Sequence, residues 1–275
     1  MALLRVLTLN CWNVSEPYAE RMALIRDGIR ALEPDVIGLQ EIVVRRDGFD
    51  MGEDILHGLG YERTFGAAFC WNDHENHLPH DADGDRFGNL VASRWPIERA
   101  AVHPLPGVET GERRSVLATL IATPHGKLPF LTTHFNWRFD HGWVRERQAI
   151  ELASIVRRWA SEATLPPIVT GDLNAEPDAA EIRYLCGLQS LGGSSTYLQD
   201  AWRVGRGVGA GYTWDNRNPY AGMAFEPSRR IDYVLVGLPD ATGRGTVMSV
   251  RVVLDEPRGD VFPSDHFGVL AEIRV

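Results

Sequence analysis

Long apolar runs are missing from this sequence, and no hydrophobic stretch approaches the length of a membrane-spanning helix. Cysteine is scarce. Cys11, Cys70 and Cys186 are odd in number and far apart, so they offer neither a disulfide framework nor a Cys-x-x-Cys metal site, and buried thiols are expected. The amino terminus lacks a basic region followed by a long apolar stretch and a cleavage site; Leu3 to Leu9 reads as the first strand, and a cytoplasmic location is expected. Repeats, linkers and low-complexity segments are also missing, so residues 1–275 are expected to form a single domain with no integral membrane association and no obligate protein partner. Positive charge is in deficit. The formal net charge of −9 argues against a broad, permanent grip on DNA or an anionic bilayer. It leaves room for a locally basic groove, and carboxylates gathered around a divalent cation would add to it.

What is present is a large apolar fraction, 44% of residues, arranged as strands with helices between many of them. Strands are expected at Leu4 to Leu9, Val36 to Leu39, Tyr61 to Phe69, Asn89 to Ser93, Ser115 to Thr123, Lys127 to Thr133, Ile168 to Thr170, Ile231 to Val236, Val247 to Leu254 and Phe267 to Ile273. Tyr18 to Leu32 carries Met22, Ile25, Ile29 and Leu32 at helical spacing, and Val144 to Ala163 is the longest helix. Shorter helices are expected at Asp54 to Leu59 and Ala179 to Leu188. Between Trp71 and Arg86 lies a polar loop with His74, His77, His80, Asp81, Asp83 and Asp85. Ala92 stands where a calcium loop would need its twelfth-position Glu, so a loop over a substrate cleft or a merely solvated loop is the better reading.

The polar residues sit at strand ends. Four strands finish at Asn10, at Gln40 and Glu41, at His134, and at Asp172 with Asn174; two begin at Asp232 and at Asp265 with His266. Taken singly, Gly171-Asp172-Leu173-Asn174 is an ordinary Asx-turn pattern and a histidine after a strand is usually a satisfied polar group. Taken together, with the first four strands pointing one way and the last two the other, these groups meet on one rim.

The ordered set Leu9-Asn10, Leu39-Gln40-Glu41, Thr133-His134, Gly171-Asp172-Leu173-Asn174, Arg230-Ile231-Asp232-Tyr233 and Ser264-Asp265-His266 resembles the endonuclease/exonuclease/phosphatase superfamily of DNase I-like proteins. Around His134 the likeness is to its sphingomyelinase-like and uncharacterised bacterial branches. The resemblance implies an α+β fold, a four-layer α/β/β/α sandwich of two mixed sheets flanked by helices, and hydrolysis of a phosphate ester with Mg2+ or Mn2+. Glu41, Asn10 and Asp265 are the expected metal ligands, since Mg2+ prefers one or two carboxylates; a further acid that can lie two residues after Asn10 in relatives is replaced here by Trp12. Asp172 and Asn174 would orient water and hold phosphate, Asp232 would orient His266, and His134 would donate to a phosphoryl oxygen. Either His266 or Asp172 could be the base. Arg114, Asn136 and Trp214 are the candidate substrate contacts, with Arg145 and Gln148 in an orienting role. Trp137, Trp143 and Trp214 flank the rim, as a wall for a base or head group or as core aromatics. The substrate could be a small molecule, a phospholipid head group or a nucleic acid. A catalytically silent binding module is the contrasting reading.

Overall fold

The computed structural model describes residues 2–70 and 84–275. Its strands are β1 (Leu3–Asn10), β2 (Val36–Val44), β3 (Glu62–Cys70), β4 (Arg86–Ser93), β5 (Ile97–Pro104), β6 (Ser115–Thr123), β7 (Gly126–His134), β8 (Ile168–Asp172), β9 (Gln199–Asp200), β10 (Asp232–Val236), β11 (Val247–Val253) and β12 (Gly268–Arg274). They form two six-stranded sheets, ordered β11-β12-β1-β2-β4-β3 and β5-β6-β7-β8-β10-β9. Both sheets are mixed: β1 with β2 and β7 with β8 are the parallel pairs, and the other pairings are antiparallel.

Alternation along the strands explains the layering, because successive side chains face opposite sides of a sheet. Val6, Val36, Leu128, Phe130, Ile168, Val234 and Val236 pack together between the two sheets. Leu7, Leu9, Ile37 and Leu39 turn the other way, onto helices α1 (Tyr18–Leu32) and α2 (Met51–Leu56). Leu131, Val169, Tyr233 and Leu235 face α3 (Gly142–Ala160) and α4 (Ala180–Leu185). The result is the expected helix, sheet, sheet, helix sandwich. Among the described residues no helix is long and apolar enough to cross a membrane, and Cys11, Cys70 and Cys186 are buried free thiols.

The inward face changes character toward one end. Beyond the aliphatic residues comes a buried polar layer in which Gln40 Nε2 donates to Thr132 Oγ1 (2.8 Å) and Thr8 Oγ1 (3.2 Å), tying the sheets together. Gly38 fits there because a Cβ would lie 2.1 Å from Thr170 Oγ1 and 2.8 Å from Thr132 Oγ1. One further step along the same face stand Asn10, His134, Asp172 and Asp232. The polar residues expected at strand ends therefore continue the inward face of the sandwich.

Several boundaries differ from the sequence reading. Strand β2 does not stop at Glu41 but runs on to Val44, with its register against β4 shifting between Leu39 and Ile42. Strand β5 was not expected: it alternates as an exposed edge behind Trp95-Pro96, and carries few buried apolar residues to announce it. Helix α2 starts three residues before Asp54 because the Asp50 side chain caps it, accepting from the Gly52 and Glu53 amides. Most of the expected polar loop, 71–83, lies outside the described residues.

Two devices fix the rim. Arg21, fully buried on α1, donates to the carbonyls of Cys11, Trp12, Asn13, Ser15 and Pro263, so one guanidinium holds the β1–α1 loop and the segment leading to Asp265. Gly171 has φ +151°, and a Cβ there would lie 2.0 Å from the Thr133 carbonyl oxygen. Replacing Arg21 by Met leaves those buried carbonyls unpaired and is expected to cost on the order of 3 kcal/mol; urea denaturation should show a lowered midpoint. Gly171→Ala sets a new Cβ against the Thr133 carbonyl and should lower the midpoint by the equivalent of about 2 kcal/mol or more. A wild-type midpoint in either variant would remove the corresponding role.

Candidate active site

Cross-strand register assembles the centre of the site. Strand β8 lies between β7 and β10, so Asp172 is the direct neighbour of His134 on one side and of Asp232 on the other. Asp172 Oδ2 accepts from Asn10 Nδ2 (3.1 Å) and lies 3.4 Å from His134 Nε2 and 3.7 Å from His266 Nε2. Its other oxygen accepts the Asn174 amide at 2.9 Å. Asn174 takes a left-handed φ of +50°, a conformation Asn tolerates better than most residues, and its Nδ2 donates to the Phe135 carbonyl.

His266 Nδ1–H donates to Asp232 Oδ2 at 2.9 Å, which directs Nε2 toward Asp172. Asp232 is itself fixed: the Ile231 and Asp232 amides both donate to Thr213 Oγ1, and the Thr213 carbonyl accepts from the Phe267 amide. Burial opposes charge on His266, but Asp232, Asp172 and Asp265 outweigh it and hold its pKa well above the usual range. His134 moves the opposite way. Burial, the Arg114 guanidinium and His266 all keep it neutral, and because Arg114 Nη1 donates to Nδ1 at 2.9 Å, the remaining proton sits on Nε2, facing the cleft. Burial and the Asp232 charge push Asp172 up to about 6.

Glu41 reaches the same space by a different route. Strand alternation would send it to the helix side, opposite Gln40. Instead it occupies the irregularity in β2 with φ +61°, a bulge that redirects the side chain. Asn13 Nδ2 donates to Glu41 Oε2 (2.8 Å) and Asn10 Nδ2 to Oε1 (3.3 Å). Asp265 shares the cleft, its Oδ1 accepting from Ser264 Oγ (3.1 Å), while the same hydroxyl reaches the Asn10 carbonyl. Burial and the Glu41 charge together push Asp265 up to about 7. Two carboxylates and a carboxamide confined together suit a hard, oxygen-preferring cation. Asp172, Asp232 and His266 also place donor atoms within 4.8 Å of one another, though there the Asp232–His266 hydrogen bond already uses one donor of each.

Asn10, Asn13, Glu41, His134, Asp172, Asn174, Asp265 and His266 line one cleft of about 480 Å³, with Asp232 behind His266. Of the expected substrate contacts, Arg114 and Trp214 line it. Arg114 is also bound by Glu112, so it works on His134 from within a network. Trp214 stands edge-on to His266, ring centroids 5.0 Å apart. Asn136 lies behind the cleft wall: its Nδ2 donates to Glu112 and its amide to Gln148 Oε1. Arg145 and Gln148 do hold the neighbouring loop, Arg145 through the Asn136 and Arg138 carbonyls and a buried pair with Glu181. Trp137 and Trp143 are not core aromatics; both are about half exposed, and Trp137 lines the cleft. Asn13, Glu112 and Arg229 line the cleft without having been singled out. Asn13 had a usable signal, two polar amides three residues apart after one strand. Glu112 pairs with nearby Arg114 and with Asn136 beyond the next hairpin, Arg229 pairs with Glu226, and Arg230, which the motif contains, pairs with Asp200.

A Caenorhabditis elegans protein assigned as a neutral sphingomyelinase is 27% identical over 99% of this chain and 67% of its own length. Xenopus laevis nocturnin is 31% identical over 58% of this chain, and the chain spans well under half of that protein. Among solved structures, truncated Caenorhabditis elegans TDP2 superposes with a TM-score of 0.75 at 18% identity, covering 99% and 98% of the two chains. The human nocturnin catalytic domain with a bound sulfate anion superposes with a TM-score of 0.70 at 21% identity, covering 98% and 94%. The model of the endonuclease/exonuclease/phosphatase family matches residues 7–266, and with the two-sheet sandwich and its convergent rim this chain belongs to that family.

Proposed function

We propose that this chain is a divalent-metal-dependent phosphodiesterase, acting as one domain of 275 residues. The observation that carries the reading is a single cleft in which paired carboxylates, Glu41 and Asp265, face an acceptor carboxylate, Asp172, set between a neutral and a cationic histidine. The sphingomyelinase assignment of the worm relative supports an ester of phosphoric acid as substrate.

Glu41, Asp265 and Asn10 would hold Mg2+ or Mn2+, which when bound neutralises charge on the phosphoryl group. The chain's own residues do the rest. Asp172, anchored by Asn10 and the Asn174 amide, takes a proton from the attacking water as the new P–O bond forms. His134 donates from Nε2 to a phosphoryl oxygen, and Asn174 holds the phosphate from the cleft wall. His266, kept protonated by Asp232, gives its Nε2 proton to the departing oxygen as the old P–O bond breaks. Between the two candidate bases the geometry favours Asp172, because His266 is surrounded by carboxylates and already carries its proton.

A nuclease is the second reading, favoured by the half-exposed Trp137 on the cleft wall, on which a base could stack. Intact plasmid and structured RNA after prolonged incubation would remove it.

Bis-p-nitrophenyl phosphate should be hydrolysed with Mg2+ or Mn2+ and not in EDTA, and Glu41→Gln should raise the metal concentration needed for half-maximal rate at least tenfold. Turnover undiminished by EDTA would sink the metal-dependent reading. Asp172→Asn and His266→Ala should each lower kcat roughly a hundredfold or more with little change in KM; a wild-type kcat in folded His266→Ala protein, checked by circular dichroism, would refute its role.

A further inference from the structure

A second cavity of about 510 Å³ lies beside the catalytic cleft, where the edge strands β3 and β5 of the two sheets face each other. Just below it the sheets close tightly: a Cβ on Gly66 would lie 2.8 Å from Val102 Cγ2 and 3.0 Å from Leu117 Cδ1. One residue later β3 shifts register against β4, between Ala67 and Phe69, and the sheets part. Phe65, Ala67 and Ala68 form one wall of the space, and Val102, Leu105 and Val108 the other. The space opens to solvent past Val102 and Val108, and a concave, mostly apolar surface of this size beside a polar cleft suits an apolar group carried by the same ligand.

Its polar end is the catalytic end. Arg113 and Arg114 line both cavities, and Arg114 is the residue that donates to His134. Beside them is Ser115, 2% exposed, whose Oγ has no hydrogen-bond partner among the described residues. A buried hydroxyl without a partner is a position where a ligand oxygen would be satisfied. The space therefore offers cations and one unpaired hydroxyl at the catalytic end and a mostly apolar wall beyond them, where Arg86 lies over the Phe65 ring. A phosphate ester with a hydrocarbon chain has the same order of groups.

We propose that this cavity is a chain-binding compartment, receiving the alkyl part of a phosphate ester whose phosphoryl group sits in the catalytic cleft. The compartment rests on the phosphodiesterase reading for what occupies the cleft, but its own signature is chain-length dependence. Ser115 would meet the first oxygen-bearing portion of the ligand, and the chain would run between β3 and β5.

Isothermal titration with ethyl, butyl, hexyl and octyl phosphate, each below its aggregation concentration and in the presence of Mg2+, tests this directly. Affinity should rise about fourfold per added methylene until the cavity is filled. Val102 and Val108 are 42% and 48% exposed and touch none of the reacting groups. Val102→Asp and Val108→Trp should therefore fold normally, bind ethyl phosphate as before, hydrolyse bis-p-nitrophenyl phosphate at the wild-type rate, and lose the dependence on chain length. A flat series in the wild-type protein overturns the compartment, as does a slope that survives both variants or a nucleoside monophosphate binding tighter than octyl phosphate. A steep series lost in the variants supports it even if bis-p-nitrophenyl phosphate is not turned over, an outcome that would count against the catalytic reading alone.

Discussion

The register of β8 between β7 and β10 is the constraint on which the rest of the site depends. It makes His134, Asp172 and Asp232 lateral neighbours across three strands, at the ordinary spacing of a sheet. Slipping β8 by one residue would turn Asp172 toward α3 and put Gly171 in the cleft. Apolar packing of Ile168, Val234 and Val236 against the opposite sheet prevents that slip, so the same burial that stabilises the sandwich also sets the position of the acceptor carboxylate.

Gathering acids at such a place carries an electrostatic cost. Asp172, Asp232 and Asp265 are all buried, and the raised pKa values of Asp172 and Asp265 express that burial first and the neighbouring Asp232 and Glu41 charges second. The protein offsets part of this with donors rather than counter-charges: the Asn10 and Asn13 carboxamides, the Asn174 amide and the Ser264 hydroxyl. His266 supplies a positive charge inside the cluster, and a bound divalent cation would supply the remainder. Acidic net charge and the proposed phosphate-binding role are compatible, because the carboxylates would face a cation and the arginines the phosphate.

Much of this is legible in the sequence. Strand alternation puts Asn10, Gln40, His134, Asp172 and Asp232 on one face, and their positions in the chain already betray it. Glu41 could not be read that way. Its odd position points to the wrong side, and only the left-handed bulge brings it round. Strand β5 escaped because an exposed edge strand lacks the apolar alternation that marks a buried one. Nothing local marks Arg21, because the five carbonyls that converge on it come from two separate loops. Glu112 was hidden for the same reason, its partners being Arg114 in its own loop and Asn136 beyond a whole hairpin.

The bridge from Gln40 to Thr8 and Thr132 has a bearing on how the enzyme adapts to what it binds. The two sheets are pinned together directly beneath the rim, so rocking one against the other like a pair of jaws would break these buried bonds. Any adjustment of shape must come from the connecting segments that carry Arg113, Arg114 and Arg229, which approach the cleft from outside the sandwich. Diversification of such a scaffold would then leave its acid centre untouched and proceed by rebuilding the cationic margin.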